Sequence, residues 1–192
     1  TCTIRENADD KLYGTLGHLK KWKEQSSDRR LIVGGCAAQK DKELVRDRAP
    51  WVDVVIGTHN TNDVINLLNQ SEDWGPITKI VEETLDIETE ILPVRESGFS
   101  AFVTIQIGCN NSCTFCIVPS VRGVEISRRP SDIINEIKNL SNEGVKEITL
   151  LGQNVNSYGR DLMIDNKRSP YFTQLLYKIH EIDGIERIRF TS

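Results

Sequence analysis

The first third of the chain alternates between amphipathic and β-branched stretches. Apolar residues recur every three to four positions from 5 to 25, which predicts a helix. Short apolar runs at 29–35 and 51–57 indicate strands, and helices are predicted at 41–48 and 61–69. Strands that alternate with helices favour a parallel sheet with helices packed on it.

A second alternation of the same kind begins at Phe99. Its predicted elements are strands at 101–107, 147–151 and 185–190, and helices from Ser131 or Asp132 to about 142 and at 172–182. This order of strands and helices is typical of about half of a (βα) barrel.

An acidic stretch separates the two alternations. Between residues 72 and 90, seven acidic side chains stand against the single base Lys79. A solvated loop is the ordinary explanation of such a charge run. We therefore predict an α/β chain in three parts: a partial flavodoxin-like parallel-sheet domain at 1–71, a linker at 72–98, and the first part of a partial (βα) barrel at 99–192.

The composition limits the classes of protein that the chain can belong to. Its 192 residues are 38% hydrophobic, enough for one or two domains with their own cores. We expect no membrane span, since no run of eighteen apolar residues occurs, and no signal peptide. Because the first residue is Thr rather than Met, we expect a fragment or a processed chain. The net charge of −4 argues against strong binding of nucleic acid by this piece alone.

Three cysteines form the most informative motif. Cys109, Cys113 and Cys116 have the spacing C-x3-C-x2-C, with no fourth cysteine nearby, and follow the predicted strand at 101–107. A [4Fe–4S] cluster normally has four thiolate ligands, so three would leave one iron open to a second molecule. A zinc site and a disulfide with one free thiol are the alternatives, although the nearest histidines, His59 and His180, are distant in sequence.

The cysteine loop and its flanks resemble the radical S-adenosylmethionine (SAM) methylthiotransferases. The resemblance rests on the runs IGCNNSCTFCIVPSVRGVEISRRP at 107–130, LLGQNVNSYG at 150–159, TCTIRENA at 1–8 and GGCAAQ at 34–39. Within that family it is strongest for the subgroup that modifies isopentenylated adenosine beside the anticodon of tRNA. It implies a [4Fe–4S] cluster on Cys109, Cys113 and Cys116, with SAM on the open iron. Reductive cleavage of SAM would give a 5′-deoxyadenosyl radical, and a methylthio group would be added to carbon 2 of the adenine.

A second pair of cysteines, Cys2 and Cys36, follows two apparent strands of the first sheet. Both can face the crevice at the carboxyl ends of those strands. Taken alone, such a distant pair is usually two buried free cysteines. The family resemblance implies instead that they hold a second, auxiliary [4Fe–4S] cluster, whose remaining ligand would lie upstream of Thr1.

Polar residues after the strands of the second part are the candidate helpers. Gln153 and Asn154 follow the second strand, and the resemblance suggests that they bind the cofactor; ordinary polar caps are the alternative. The charge of Arg128 suits binding of the SAM carboxylate or of a tRNA phosphate. The alternative is an exposed arginine before a helix. The resemblance also implies a tRNA substrate bound mainly outside this chain, and an electron donor such as flavodoxin or ferredoxin. Free, cluster-forming cysteines favour a reducing cytoplasm.

Other functions stay open on the sequence alone. A relative that modifies a ribosomal protein side chain is the nearest alternative. An iron–sulfur electron carrier or redox sensor that binds no SAM belongs to a different class. A zinc-binding tRNA-interaction module is a third.

Overall fold

The computed structural model describes residues 6–82, 98–163, 166 and 168–192, and these form two compact units. The first unit contains the described residues up to 82 together with Asn111–Gly123. The second contains 98–110 and Val124–Ser192. Among the described residues, no helix combines the length and the apolar character that a bilayer crossing requires.

The first unit is a parallel sheet with helices between its strands. Its elements up to residue 82 are α1 (Glu6–Glu24), β1 (Ile32–Gly34), α2 (Cys36–Asp41), α3 (Leu44–Arg48), β2 (Val54–Ile56), a 3₁₀ turn (Thr61–Asp63), α4 (Val64–Trp74) and β3 (Ile77–Lys79). The strand order is β1-β2-β3, and all pairs are parallel.

Helices pack on both faces of this sheet because β2 is apolar on both sides. Val55 joins a core with Leu16 of α1 and Val45 of α3. Val54 and Ile56, whose side chains point to the other face, pack with Leu67 of α4. An open parallel sheet covered on both faces is the flavodoxin-like arrangement, so the predicted fold class of this part is confirmed.

Two features of the first unit differ from the pattern-based expectation. The helix expected at 41–48 begins only at Leu44, as α3, because Lys42 has a φ of +50° and separates it from α2, which ends at Asp41. The strand Ile77–Lys79 lies within the stretch that we assigned to the linker. It is a short edge strand in an acidic region. The sequence did not predict it, because a run of acidic residues is typical of a loop. The division at 71 and 98 itself stays a prediction.

The second unit begins with β4 (Ser100–Thr104) and β5 (Gln106–Ile107). The chain then passes through α5 (Val118–Arg122), which belongs to the first unit. The remaining elements are β6 (Ile126–Ser127), α6 (Pro130–Asn142), β7 (Glu147–Leu151), α7 (Phe172–His180) and β8 (Arg187–Thr191). Strands β4, β7 and β8 form a parallel sheet in that order, and β5 pairs antiparallel with β6.

One face of the parallel sheet of the second unit is buried under α6 and α7. The core contains Val103, Ile148 and Leu150 from the strands, Ile133 and Ile137 from α6, and Leu175 and Ile179 from α7. Parallel strands with helices on one side are what the start of a (βα) barrel requires, so this part of the predicted fold class is also confirmed.

The strand predicted at 101–107 is broken at Ile105. The Ile105 N–H donates to the carbonyl of Leu151, whereas the Ile105 carbonyl accepts from the N–H of Arg128. The backbone therefore leaves β7 at this residue and pairs with β6 instead. The hydrophobic pattern continues across the break, which is why the sequence indicated a single strand.

Truncating Leu175 should destabilise the second unit much more than truncating Tyr177 on the same helix. Leu175 is fully buried, whereas Tyr177 is 67% exposed. We expect Leu175→Ala to lower the free energy of unfolding by about 2–5 kcal/mol. Tyr177→Ala, the matched control, should change it by about 0.5 kcal/mol or less. Urea unfolding followed by circular dichroism measures both, and equal losses would contradict the packing of α7.

Candidate metal and cofactor site

None of the four described cysteines, Cys36, Cys109, Cys113 and Cys116, forms a disulfide. Cys109 is buried, Cys36 is half-buried, and Cys113 and Cys116 are exposed. The disulfide alternative is therefore not found among these four residues. Cys2 lies outside the described part of the chain, and its predicted role stays a prediction.

Cys109 is positioned by the end of β5. The preceding residue, Gly108, has a φ of +69°, a backbone conformation that favours glycine. On the other side, the Asn110 side-chain carbonyl accepts the backbone N–H of Glu125 at 3.0 Å. The second unit thus holds Cys109 between a sharp turn and a side-chain hydrogen bond.

Cys113 and Cys116 belong to the segment of the loop that lies in the first unit. The Cys116 N–H donates to the carbonyl of Cys113 at 3.1 Å, which closes a turn between the two residues. Phe115 lies within that turn and is 95% exposed. Helix α5 follows, and Pro119 occupies its first turn, where the missing N–H has no cost.

Within the described ranges, no three His, Cys, Asp or Glu side chains are gathered closely enough to hold a metal ion. The donor chemistry of the loop nevertheless fits an iron–sulfur cluster. Three cysteines that form no disulfide lie within one short segment, and no histidine or carboxylate falls between them. Thiolates are the usual ligands of such clusters, and three of them leave one iron without a protein ligand.

A buried polar network ties β6 to the loop that follows β7 in the second unit. The Ser157 hydroxyl donates to Glu125 Oε2 at 2.5 Å, and both residues are buried. The Ser127 N–H donates to Asp161 Oδ2 at 2.7 Å, and the Ser127 hydroxyl accepts the N–H of Gly159 at 2.9 Å. The sequence analysis missed these residues, because polar residues that bond to each other across loops look like any other polar loop residues.

Gln153 and Asn154 lie, as expected, at the carboxyl end of β7, and both are half-buried. The Asn154 carbonyl accepts the N–H of Ser157 at 3.0 Å, so its backbone belongs to the network described above. The N–H of the next residue, Val155, donates to the Ser192 hydroxyl at 3.3 Å. The roles of Gln153 and Asn154 in cofactor binding stay predictions.

The sequence left two roles open for Arg128, a ligand-binding residue or an exposed arginine before a helix. In the structure the Arg128 side chain is not exposed. Its guanidinium donates to Glu136 on α6 at 2.7 Å and to the carbonyl of Thr104 at 2.8 Å. The Arg128 carbonyl accepts the hydroxyl of the fully buried Tyr158 at 2.7 Å. Burial raises the pKa of Tyr158, which keeps that hydroxyl protonated as a donor. Cofactor binding by Arg128 stays a prediction.

Cys36 is the first residue of α2, directly after β1 and Gly35. It therefore lies at the carboxyl end of a parallel strand, as expected. The Arg122 side chain donates from Nε to Cys36 Sγ at 3.4 Å. The two residues are 86 positions apart, so no local pattern in the sequence could have revealed this contact.

His59 follows β2 in the first unit and is half-buried. Burial, and secondarily the positive charge of Arg122, lower its pKa below the usual value of 6.5. Its Nε2 atom is buried and has no hydrogen-bond partner among the described residues. The imidazole is therefore favoured in its neutral form.

The stability of the first unit should depend on the protonation of His59. Because the pKa of His59 is lower in the folded than in the unfolded state, the unfolded state binds more protons once the pH falls below about 6.5. The contribution of neutral His59 is thus complete above this pH and is lost as the pH falls towards the lowered value.

Unfolding free energies measured between pH 8 and pH 5 test this. The difference between wild type and His59→Gln should shrink as the pH falls. His18→Gln, at an exposed position of α1, is the matched control and should follow the wild-type curve. A His59→Gln curve parallel to wild type would contradict the effect of burial on His59.

Comparison with known proteins supports the family resemblance. A family model described as the radical SAM superfamily matches residues 103–192, and one described as uncharacterized protein family UPF0004 matches residues 1–57. Curated relatives named tRNA-2-methylthio-N(6)-dimethylallyladenosine synthase match all of this chain. That of Cutibacterium acnes is 52% identical over 193 residues, and those of Corynebacterium glutamicum and Mycobacterium bovis are 49% and 50% identical over 196 residues.

The chain spans 38% of the Cutibacterium relative and 37% and 38% of the other two. The resemblance to the radical SAM methylthiotransferases that the motifs indicated is thereby confirmed. The radical SAM model includes all three cysteines of the C-x3-C-x2-C motif. The family implies a [4Fe–4S] cluster and SAM as cofactors. Residues 103–192 match the radical SAM superfamily, and along its whole length the chain is similar to tRNA-2-methylthio-N(6)-dimethylallyladenosine synthases.

Proposed function

We propose that the protein containing this chain adds a methylthio group to carbon 2 of isopentenylated adenosine in tRNA by radical SAM chemistry. The observation that supports this most strongly is the identity of about half of all positions, over the whole chain, to relatives named for that product. The cysteine motif follows β5, the short antiparallel strand into which β4 of the parallel sheet continues. It therefore comes after the carboxyl end of a parallel strand, where α/β barrels place their catalytic groups.

The residues that would hold the first cluster are Cys109, Cys113 and Cys116. When bound, the cluster and SAM supply the one-electron cleavage that makes a carbon radical, which no pair of acidic and basic side chains can provide. The chain itself positions the three cysteine ligands. Gly108 and Asn110 hold the backbone on both sides of Cys109. The turn from Cys113 to Cys116 keeps the other two ligands close in sequence and in space.

The second, auxiliary cluster is proposed for Cys36 and Cys2. The chain has five cysteines, so a first cluster with three of them leaves these two. The remaining thiolate has to come from outside this sequence. The hydrogen bond that Arg122 donates to Cys36 Sγ supports this assignment, since hydrogen bonds to sulfur are a regular part of iron–sulfur sites.

The substrate and partners follow from the same proposal. A tRNA carrying isopentenylated adenosine is the substrate, and its main phosphate-binding surface is expected elsewhere, because this chain has a net charge of −4. Flavodoxin or ferredoxin would supply the electron, and the cytoplasm would supply the reducing conditions. Gln153, Asn154 and Arg128 are the proposed cofactor-binding residues.

The alternatives left open by the sequence have less support. The relatives reported above are named for a tRNA product, which disfavours a ribosomal protein as substrate. The match to the radical SAM superfamily disfavours an electron carrier without SAM. The same match disfavours a zinc-binding module.

Anaerobic reconstitution followed by electron paramagnetic resonance tests the radical SAM site. We expect a [4Fe–4S] signal in the reduced protein that changes when SAM is added, because SAM would occupy the open iron. Cys113→Ala should abolish the SAM-dependent change.

Cys36→Ala is the matched control, since it removes a thiol that is not in the motif. It should retain the response to SAM. A cluster that does not respond to SAM in folded wild-type protein would refute the proposal and favour the electron-carrier alternative.

A further inference from the structure

Two exposed cations of the first unit lie over aromatic rings that pack against its core. Arg48, the last residue of α3, has its Cζ 4.7 Å from the centroid of the Tyr13 ring. Lys20 of α1 has its Nζ 5.2 Å from the centroid of the Trp51 ring. Both rings are half-buried and contact the core that includes Leu16. The two contacts thus hold two positive charges on the part of the unit where α1 packs with α3.

Hydrogen bonds fix both rings in place. The Trp51 indole N–H donates to the carbonyl of Leu16 at 2.9 Å, and the Tyr13 hydroxyl donates to Asp41 Oδ2 at 2.6 Å. A cation that rests on a fixed ring has already lost part of its rotamer freedom. Such a cation therefore loses less conformational entropy when it binds a partner than a free lysine or arginine side chain does.

The positive charges at this place are not balanced within the protein. Asp41, which Tyr13 contacts, is paired with Lys40 at 3.3 Å, and Lys40 also pairs with Asp9. Three exposed cations of α1 and α3 form no ion pair with any residue that the structure describes: Lys20, Lys21 and Arg48. We call these three cations, with the rings of Tyr13 and Trp51, the basic surface.

The charge of the chain is unevenly distributed along the sequence. Residues 11–53 contain ten Lys or Arg residues and six Asp or Glu residues, a net charge of +4, whereas the whole chain has −4. Exposed charges that lie further apart than about 8 Å are largely screened from each other at physiological salt. The acidic residues elsewhere in the chain therefore do not prevent the basic surface from binding an anion.

We propose that the basic surface contacts the phosphate backbone of the tRNA substrate. A guanidinium matches the geometry of a phosphate group, and ammonium groups bind phosphates as point charges. Contacts with phosphates position an RNA without reading its bases. An RNA backbone suits this surface better than a lipid surface does, because both rings are held against the core and cannot insert among lipids. The inference rests on the proposed function, which supplies a tRNA.

The test measures tRNA binding to the full-length gene product at several KCl concentrations. The probes are a tRNA that carries isopentenylated adenosine and its unmodified transcript. We expect Lys20→Gln and Arg48→Gln each to weaken binding of both probes several-fold. Each variant should also lower the slope of log affinity against log salt concentration by about one, the effect of losing one phosphate contact.

Two further variants separate RNA binding from loss of stability. Lys178→Gln is the matched control, because Lys178 lies over the Tyr171 ring at 5.6 Å in the second unit. It removes one charge and one contact of the same kind, and should leave the affinity and the salt slope at the wild-type values. Lys21→Gln removes an exposed charge of the basic surface that rests on no described ring, so it should lower the salt slope without lowering the thermal midpoint.

The outcomes distinguish this inference from the proposed function. If wild type binds tRNA and the three variants of the basic surface keep its salt slope, the inference is overturned and the proposed function stands. An equal loss in Lys178→Gln would also overturn it. If Lys20→Gln and Arg48→Gln do not fold, the slope of Lys21→Gln decides. Binding to anionic lipid vesicles that these variants lose, with tRNA binding unchanged, would assign the surface to a lipid instead. A wild-type protein that binds no tRNA would refute the proposed function itself.

Discussion

The change of backbone partner at Ile105 is the constraint on which the site in the second unit depends. Up to this residue the strand pairs with β7, and beyond it the strand pairs with β6. Because the Ile105 N–H bonds to Leu151 and its carbonyl bonds to Arg128, neither polar group is left without a partner at the break. The chain is turned out of the parallel sheet three residues before Gly108, and Cys109 follows directly. The same step places Arg128 beside Thr104, where its guanidinium fastens α6 to the sheet.

Much of the fold could be predicted because its core follows local periodicity. The strand at 147–151 was predicted with the bounds that the structure shows, since every second residue in it faces a buried core. The helix after Arg129 was predicted from Ile133, Ile137 and Leu140, which lie on one face and are all buried. The cysteine motif was found for a different reason. Its spacing is a property of the sequence itself and depends on no distant residue.

The features that were not predicted depend on contacts between distant residues. Lys42 interrupts a helix through its backbone conformation, which no hydrophobic pattern records. The edge strand at 77–79 exists because β2 offers it hydrogen bonds. From the sequence, Arg128 resembles an arginine that is available for a ligand. In the structure it forms an ion pair with Glu136, which lies on the following helix. Chemically similar arginines thus differ in function according to which partner the fold supplies.

Arg122 and Arg128 illustrate this difference within a single short stretch. Arg128 is paired with a carboxylate, so its charge is balanced within the protein. Arg122 donates to a thiol, which is neutral when protonated, and its charge also lowers the pKa of His59 and so disfavours a second positive charge nearby. The fold therefore supplies a carboxylate to one arginine and a sulfur atom to the other, although the two arginines lie six residues apart in the sequence.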